Sequence, residues 1–199
     1  MKTIMEIIYT RRSIRKFRPE PVPEESIRRM LEAAHAAPSA HNTRPWRFVV
    51  LRDAGARRAL AEGMAAAYAR DAGADGVDPE KIRGHNERSM ERITAAPLAI
   101  LACMDEACVP TDAGRRTDGE RLLLIQSVAA AVENLLLAAA GEALGACWLC
   151  APAFCPATVS ETLALPKSWI AQALILIGYP AEAPARPDGR GLDEAVLWR

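Results

Sequence analysis

Apolar residues recur along the chain with two different spacings, and these spacings predict alternating helices and short strands. One group of four recurs at i, i+3, i+4 and i+7, as on one face of an amphipathic helix: Ile27, Met30, Leu31 and Ala34. This helix is predicted to begin at Glu24, after three prolines, and to end at Pro38. A continuous apolar run between a proline and an acidic residue, 97–104, instead predicts a strand buried on both faces.

The same reasoning gives the order of the remaining elements. Helices are predicted over 4–9, 53–70, 80–92, 121–140 and 159–165, and strands over 48–51, 147–150 and 173–179. Loops are predicted over 71–79, which contains glycine, aspartate and proline, and over 105–119, a polar segment expected to be mobile. Helices alternating with a few strands indicate an α+β domain whose helices cover both faces of one sheet.

The predicted helix 121–140 is apolar on nearly every face, so it must be enclosed on several sides. A membrane span is disfavoured because the helix contains Gln126, Glu133 and Asn134, which are costly in lipid. The tail after Pro180 has too many prolines and glycines for regular structure, yet it ends with four apolar residues: Leu192, Val196, Leu197 and Trp198. Since a disordered tail would not need such anchors, we expect it to wrap over a surface, which could be a partner's.

Length and charge narrow the class of protein. The 199 residues are expected to form a single domain, 1–199. Lys plus Arg and Asp plus Glu number 25 each, so the net charge is zero and neither a nucleic-acid nor a membrane partner is indicated. Five cysteines, with no apolar leader over residues 1–10, indicate the cytoplasm. Cys147 and Cys150 could form a redox pair, but an apolar run without a following helix pattern favours structural thiols, and no metal site is predicted.

Two segments are candidates for chemistry. The first concentrates basic residues within eight positions: Arg11, Arg12, Arg15, Lys16 and Arg18. Guanidinium groups beside the hydroxyl of Ser13 suit a phosphate, although composition alone favours an ordinary solvated basic stretch. The second segment, 37–48, places small polar side chains between Pro38 and Pro45, where a flat ligand could approach closely. Its alternative is an ordinary turn from helix to strand, with Trp46 in the core.

Together these segments resemble the nitroreductase family of FMN-dependent enzymes. The motif R-R-S-I-R-x-F over 11–17 is followed by A-P-S-A-x-N-x-x-P-W-x-F over 37–48. The similarity continues through Glu-Asn at 133–134, G-A-C-W at 145–148 and G-Y-P at 178–180. The resemblance implies an α+β fold with a central, mostly antiparallel sheet flanked by helices, an extended C-terminal tail, and an intertwined homodimer with the flavin site at the subunit interface.

The resemblance also implies two sets of FMN contacts. One subunit would hold the phosphate, the ribityl chain and the flavin ring through eight residues: Arg11, Arg12, Ser13, Arg15, Trp148, Leu149, Cys150 and Arg190. The other subunit would supply Pro38, Ser39, Ala40 and Asn42. Arg15 would lie near the N1/O2 edge of the flavin, where a cation stabilises the reduced ring. Two positions depart from the family pattern, because Ala40 replaces a common serine and Asp188 replaces a lysine.

The implied mechanism is ping-pong hydride transfer, in which NAD(P)H reduces the flavin and leaves before a planar acceptor, such as a nitroaromatic or a quinone, takes its place. No catalytic side chain is predicted, because the cofactor supplies the chemistry. We expect substrate contacts from His41 and from Arg115 and Arg116 in the predicted loop, although the two arginines could equally be simple surface residues.

Several pieces further resemble one branch of the family, the reductase domain of proteins that ligate glutamate to a deazaflavin coenzyme. They are H-N-T-R-P over 41–45, D-A-G-R-R-T-D-G-E-R over 112–121, V-E-N-L-L over 132–136 with G-A-C-W over 145–148, and A-F-C-P over 153–156. A dehydro-deazaflavin acceptor is therefore implied, although no ligase domain is expected in these residues. Two alternatives stay open: a non-catalytic flavin- or deazaflavin-binding protein, and an enzyme that fragments flavin during synthesis of the lower ligand of cobalamin.

Overall fold

The computed structural model describes residues 3–185 and 191–199, in which seven α-helices surround a four-stranded sheet. The helices are α1 (Ile4–Thr10), α2 (Glu24–His35), α3 (Ala54–Ala74), α4 (Pro79–Ala95), α5 (Thr117–Gly141), α6 (Ala151–Phe154) and α7 (Pro156–Thr162). The strands are β1 (Trp46–Leu51), β2 (Leu98–Asp105), β3 (Gly145–Leu149) and β4 (Trp169–Gly178). Short 3-10 helices occupy Ala40–Asn42, Glu106–Cys108, Gly114–Arg116 and Leu192–Glu194.

The strand order is β1-β2-β4-β3, and every neighbouring pair is antiparallel. The two central strands are the continuous apolar runs of the sequence, because helices cover them from both sides. Every residue of β2 is buried, and so is every residue of β4 from Ala173 to Gly178. The α+β fold with a central antiparallel sheet is therefore confirmed.

Two hydrophobic cores lie on opposite faces of this sheet. Helices α2 and α5 pack on one face, where Met30, Leu135 and Ile175 are fully buried. Helices α3, α4 and α7 cover the other face, which buries Leu60 and Ile93 against β4. The prediction that helices enclose both faces is correct.

Helix α5 is the central helix of the first layer. By length and composition the segment Gly114–Gly141 could cross a membrane, but Leu124, Val132 and Leu135 are at most 1% exposed because they pack against the sheet. Its first half leaves Leu122, Leu123 and Ile125 exposed on the opposite side. One side of α5 is therefore buried against its own chain, and the opposite side of its first half is exposed.

Polar contacts hold α2 in register with α5. The amide of Asn134 donates a hydrogen bond to the carbonyl of Ala33 at 3.0 Å. Two nitrogens of Arg29 donate to the carboxylate of Glu142, each at 2.6 Å, and Ser26 donates to the same group at 3.0 Å. The hydrogen bonds from Arg29 hold the pKa of Glu142 below its usual value. These contacts fix the helix that leads into the second candidate segment.

Several predicted boundaries are wrong, and the causes are local. Helix α3 continues to Ala74, so the predicted loop 71–79 shrinks to four residues, which turn at Gly76 with a φ of 75°. Helix α5 begins at Thr117, and two 3-10 helices order part of the segment 105–119. Helix α7 begins three residues earlier than predicted, and α6 was not predicted. Cys150 is thus followed by a helix after all, contrary to the sequence interpretation.

Candidate functional site

The first candidate segment lies as an extended piece beside the edge strand β3. Ser13 forms a parallel bridge with Ala146, and the N–H of Ile14 donates to the carbonyl of Ala146 at 2.9 Å. Further along, the N–H of Arg18 donates to the carbonyl of Tyr179 at 2.8 Å. The end of the sheet therefore fixes the backbone that carries the basic side chains.

Two glycines allow this close approach. A Cβ on Gly145 would lie 2.7 Å from the Cβ of Ile14, and a Cβ on Gly178 would lie 2.6 Å from a ring carbon of Pro97 and 3.1 Å from the Cβ of Phe17. Carbon atoms in contact are normally about 3.5–4.0 Å apart. A side chain at Gly145 would push Ile14 and the basic segment away from the sheet, whereas one at Gly178 would overlap mainly with Pro97 and also crowd Phe17.

The basic residues open onto a cavity of about 680 Å³, within the size range of small-molecule sites. Its lining comprises Ile8, Tyr9, Arg11, Arg12, Ser13, Arg15, Pro184 and Ala185. A neighbouring cavity of about 400 Å³ shares Arg11 and Arg12 and reaches the end of α5. Three guanidinium groups and a hydroxyl thus line the larger cavity, which suits an anion.

The buried end of Arg11 supports this interpretation. Its Nε is inaccessible to solvent and donates no hydrogen bond within the described residues, although a carboxylate oxygen of Glu133 lies 3.4 Å away. A buried N–H of this kind costs about 1–3 kcal/mol unless something accepts from it. Arg12 instead donates to the carbonyls of Tyr9 and Arg11, at 2.9 and 2.6 Å. The residues therefore fit a phosphate-bearing ligand, which would supply acceptor oxygens.

Glu182 is a component of this site that the sequence did not reveal. Its carboxylate accepts hydrogen bonds from the backbone N–H groups of Arg15 and Lys16, at 2.6 and 3.2 Å. These partners are 167 and 166 residues apart along the chain, and no local pattern signals such a contact. Glu182 holds the backbone of Arg15 in place and leaves its exposed side chain available.

The end of β3 carries three residues predicted to contact the flavin ring, but within the described residues Trp148, Leu149 and Cys150 line neither cavity beside the basic segment. The indole Nε1 of Trp148 is buried and has no hydrogen-bond partner within the described residues, whereas Leu149 packs into the core beneath α3 and Cys150 is exposed. Burial raises the pKa of the Cys147 thiol, and the charge of Arg15 only partly offsets this. A protonated, buried thiol is a poor nucleophile, which supports a structural role for Cys147.

The second candidate segment is a tight loop between α2 and β1 with an unusual backbone. His41, Asn42 and Arg44 have φ values of 52°, 55° and 47°, in the left-handed region that side chains other than glycine disfavour. The N–H of Ala40 donates to the hydroxyl of Ser127 at 3.1 Å, and the N–H of Arg44 donates to the hydroxyl of Ser39 at 3.0 Å. Strain held in this way often marks a functional loop.

The predicted substrate residues lie beside this loop. His41 and Arg116 approach the same carboxylate, that of Glu120, at 3.5 and 3.8 Å, while Arg115 is exposed on the adjoining 3-10 helix. Glu120 is not recognisable from the sequence, because a glutamate in the first turn of a helix is common and gives no particular signal. Arg190, predicted to bind phosphate, lies outside the described residues.

One chain does not bring the two segments together. Along α5, Arg11 meets Glu133, whereas Ala40 meets Ser127 and His41 meets Glu120. Along α5, Glu133 lies six residues from Ser127 and 13 residues from Glu120, which is about 9 Å and about 20 Å of helix. Within the described part of the chain, the cavities beside the basic segment include no residue of the second segment.

The chain is similar in sequence and in fold to several known proteins. Residues 8–179 match the sequence profile of the nitroreductase family. A 5,6-dimethylbenzimidazole synthase from Rhodospirillum rubrum is 33% identical over 181 residues, which cover 89% of this chain and 82% of the relative. An NADH dehydrogenase from Thermus thermophilus is 35% identical over 205 residues, covering 95% and 92%. A solved structure from Desulfovibrio desulfuricans, assigned as a nitroreductase in complex with FMN, is 30% identical with a TM-score of 0.76, covering 100% and 98%.

Proposed function

This chain belongs to the nitroreductase family, and we propose that it is an FMN-dependent oxidoreductase that passes electrons from NAD(P)H to a planar conjugated acceptor. The arginine-lined cavity beside β3 is the observation that carries the proposal. It offers phosphate-binding groups in a chain that is similar along its whole length to a structure holding FMN.

In this proposal, different residues of the basic segment contact different parts of FMN. Arg11, Arg12 and Ser13 bind the phosphate and the ribityl chain, and the Nε of Arg11, which donates no hydrogen bond within the described residues, is one of the donors. Arg15 faces the ring edge, and the backbone at 148–150 meets the ring. Bound FMN supplies a two-electron carrier, while the protein fixes its position and stabilises charge on the reduced ring. No side chain needs to act as a nucleophile.

The second segment completes the site from a partner chain in this proposal, because one chain holds the two segments apart. Three regions leave large apolar side chains exposed and could form such an interface: Ile4, Met5, Ile8 and Tyr9 of α1; Leu122, Leu123 and Ile125 of α5; and Leu192, Leu197 and Trp198 of the tail. Contiguous exposed apolar surface of this kind is typical of association sites. Pro38, Ser39, Ala40 and Asn42 then contact the FMN bound by the other protomer.

The relatives support different reactions for the reduced flavin. The Rhodospirillum rubrum relative favours one alternative, fragmentation of the flavin in cobalamin lower-ligand synthesis, because the two sequences are 33% identical. The Thermus thermophilus relative favours turnover with NADH. The dehydro-deazaflavin acceptor gains no support from these relatives and stays a prediction, as does a non-catalytic carrier.

A single set of assays separates these functions. Purified protein loaded with FMN is mixed with NADH or NADPH and with a nitroaromatic, with menadione or with a dehydro-deazaflavin. We expect oxidation of the nicotinamide that depends on the acceptor. A carrier would retain flavin without turnover, and a flavin-fragmenting enzyme would lose its flavin spectrum only in the presence of oxygen. Protein that stays colourless when FMN is added would contradict the proposal.

A further inference from the structure

The carboxylate of Glu120 is buried beside the second segment without being satisfied. Glu120 is 9% exposed, and its Oε2 has no hydrogen-bond partner within the described residues. The Nε2 of His41 lies 3.5 Å from this oxygen, and a guanidinium nitrogen of Arg116 lies 3.8 Å from the other oxygen. Buried polar atoms are nearly always paired, so an unpaired carboxylate oxygen calls for an explanation.

The loop presents His41 to this carboxylate by an unfavourable backbone conformation. His41 has φ 52° and ψ 20°, and such left-handed geometry costs about 1–3 kcal/mol for a residue other than glycine. The hydrogen bonds from Ala40 to Ser127 and from Asn42 to the carbonyl of Ser39, both at 3.1 Å, hold the loop in place. The imidazole remains 64% exposed, so one nitrogen faces Glu120 while most of the ring stays open.

Two other charged residues of this region, Arg44 and Arg116, contact His35 and Glu120 rather than the ring of His41. Arg44, in the same loop, reaches the ring of His35 at 3.5 Å, and Arg116 is 71% exposed and contacts the carboxylate rather than the imidazole. Within the described residues, Glu120 is thus the ionisable partner that orients His41. Its place in the first turn of α5 also favours a negative charge.

We propose that His41 gives the proton that accompanies hydride transfer to the acceptor, and that Glu120 is the positioning residue for its ring. This inference rests on the proposed function. The carboxylate holds the Nε2–H, as a carboxylate holds one ring nitrogen in hydrolase triads, and Nδ1 makes the transfer. The separation of 3.5 Å is compatible with this role, since catalytic hydrogen bonds are often long before the substrate binds.

The transfer balances for a quinone. The quinone would become the hydroquinone by taking one hydride, which the reduced flavin would supply as it is reoxidised, and one proton from Nδ1 of the doubly protonated His41 ring. The ring would keep its proton on Nε2, beside Glu120, and would regain the Nδ1 proton from water. Ferricyanide, in contrast, takes single electrons and needs no proton. Steps before proton donation are common to both acceptors. A loss of rate with the quinone but not with ferricyanide therefore reports on proton donation alone.

The kinetic test compares menadione with ferricyanide in FMN-loaded variants. His41→Asn suits the left-handed backbone but has no transferable proton. General acid catalysis is worth about 10²–10⁴-fold, so we expect menadione reduction to fall at least about 100-fold while ferricyanide reduction stays within about 2-fold. Glu120→Gln should lower the menadione rate by about 10-fold. Glu25→Gln, which alters an exposed glutamate in the first turn of α2, is the matched control and should change neither rate.

A second measurement needs no turnover. In flavin-free protein labelled with ¹⁵N, the NMR signals of the three histidines report which ring nitrogen carries the proton, and the signal lost in His41→Asn identifies His41. We expect the Nε2–H tautomer in the wild type and a mixture in Glu120→Gln. If His41→Asn lowers the rates with menadione and ferricyanide equally, or if Glu120→Gln leaves the tautomer of His41 unchanged, the proposed roles of His41 and Glu120 are wrong, but the proposed function still stands. Wild-type protein that reduces neither acceptor would instead overturn the proposed function.

Discussion

Substitution of Gly145 by alanine tests whether the contact between β3 and the basic segment builds the site. The new Cβ would lie 2.7 Å from both the Cβ and Cγ1 of Ile14 and 2.8 Å from its Cγ2. Since carbon contacts normally lie at about 3.5–4.0 Å, the segment must move by about 1 Å. Ile14 cannot move freely, because its N–H is bonded to the next residue of the strand, Ala146, at 2.9 Å.

The expected magnitude follows from this overlap. Overpacking of this kind costs about 1–3 kcal/mol, and each kcal/mol lowers the Tm of a domain of this size by about 2–4 °C. Displacement of the arginines that we propose hold FMN should remove about one charged hydrogen bond, worth about 1.5–3 kcal/mol. We therefore expect the affinity for FMN to fall by about 10- to 100-fold.

The assay pairs thermal unfolding with a titration of FMN fluorescence. Gly119→Ala is the control, because a Cβ on Gly119 meets no atom within 4 Å and alanine favours a helix. We expect this control to be as stable as the wild type, or slightly more stable, and to bind FMN normally. If Gly145→Ala matches the control in both measurements, the close approach of the segment does not matter and the reasoning fails.

Three further predictions concern individual contacts. Arg12→Ala should weaken FMN binding by about 10-fold, whereas Arg115→Ala, on the exposed 3-10 helix, should leave FMN affinity unchanged in the same titration. Glu142→Gln should lower the free energy of unfolding by about 1 kcal/mol at neutral pH. The hydrogen bonds from Arg29 lower the pKa of the Glu142 carboxyl in the folded state. The stability difference between wild type and variant should therefore be fully present above the unfolded-state pKa of about 4.3, and it should disappear as the pH falls through the lower folded-state pKa. Urea unfolding measured across this pH range checks the prediction. Ser127→Ala should leave the backbone N–H of Ala40, in the second segment, without its hydrogen bond, cost about 1 kcal/mol and lower FMN affinity. Unaltered affinity would count against the proposed role of this segment.

The architecture could be predicted from the sequence because its causes are local. The apolar runs at 97–104 and 173–179 became the two central strands, and the amphipathic spacing from Ile27 gave α2. Boundaries failed where composition misled. Gly73 lies inside α3 although glycine usually ends a helix, and a helix as short as α6 gives too few residues for any periodic pattern.

The site could be predicted only in part, for a different physical reason. The basic segment and the second segment are visible as motifs, and family resemblance predicts their roles. The groups that position them, Glu182 and Ser127, are 167 and 87 residues from their partners, and no sequence pattern reports such pairs. Glu120 and its buried oxygen became visible only through the geometry around His41.

The central claim is that opposite protomers enclose one FMN, and complementation between two variants tests it most directly. Arg12→Ala damages the basic segment, and Asn42→Gly removes a loop side chain while keeping the left-handed backbone. Each variant alone should bind FMN about 10-fold more weakly at both of its sites. In a purified heterodimer of the two, one site combines both lesions and the other combines neither, so we predict one tightly bound FMN per dimer. A heterodimer that binds no FMN would contradict a site shared between protomers.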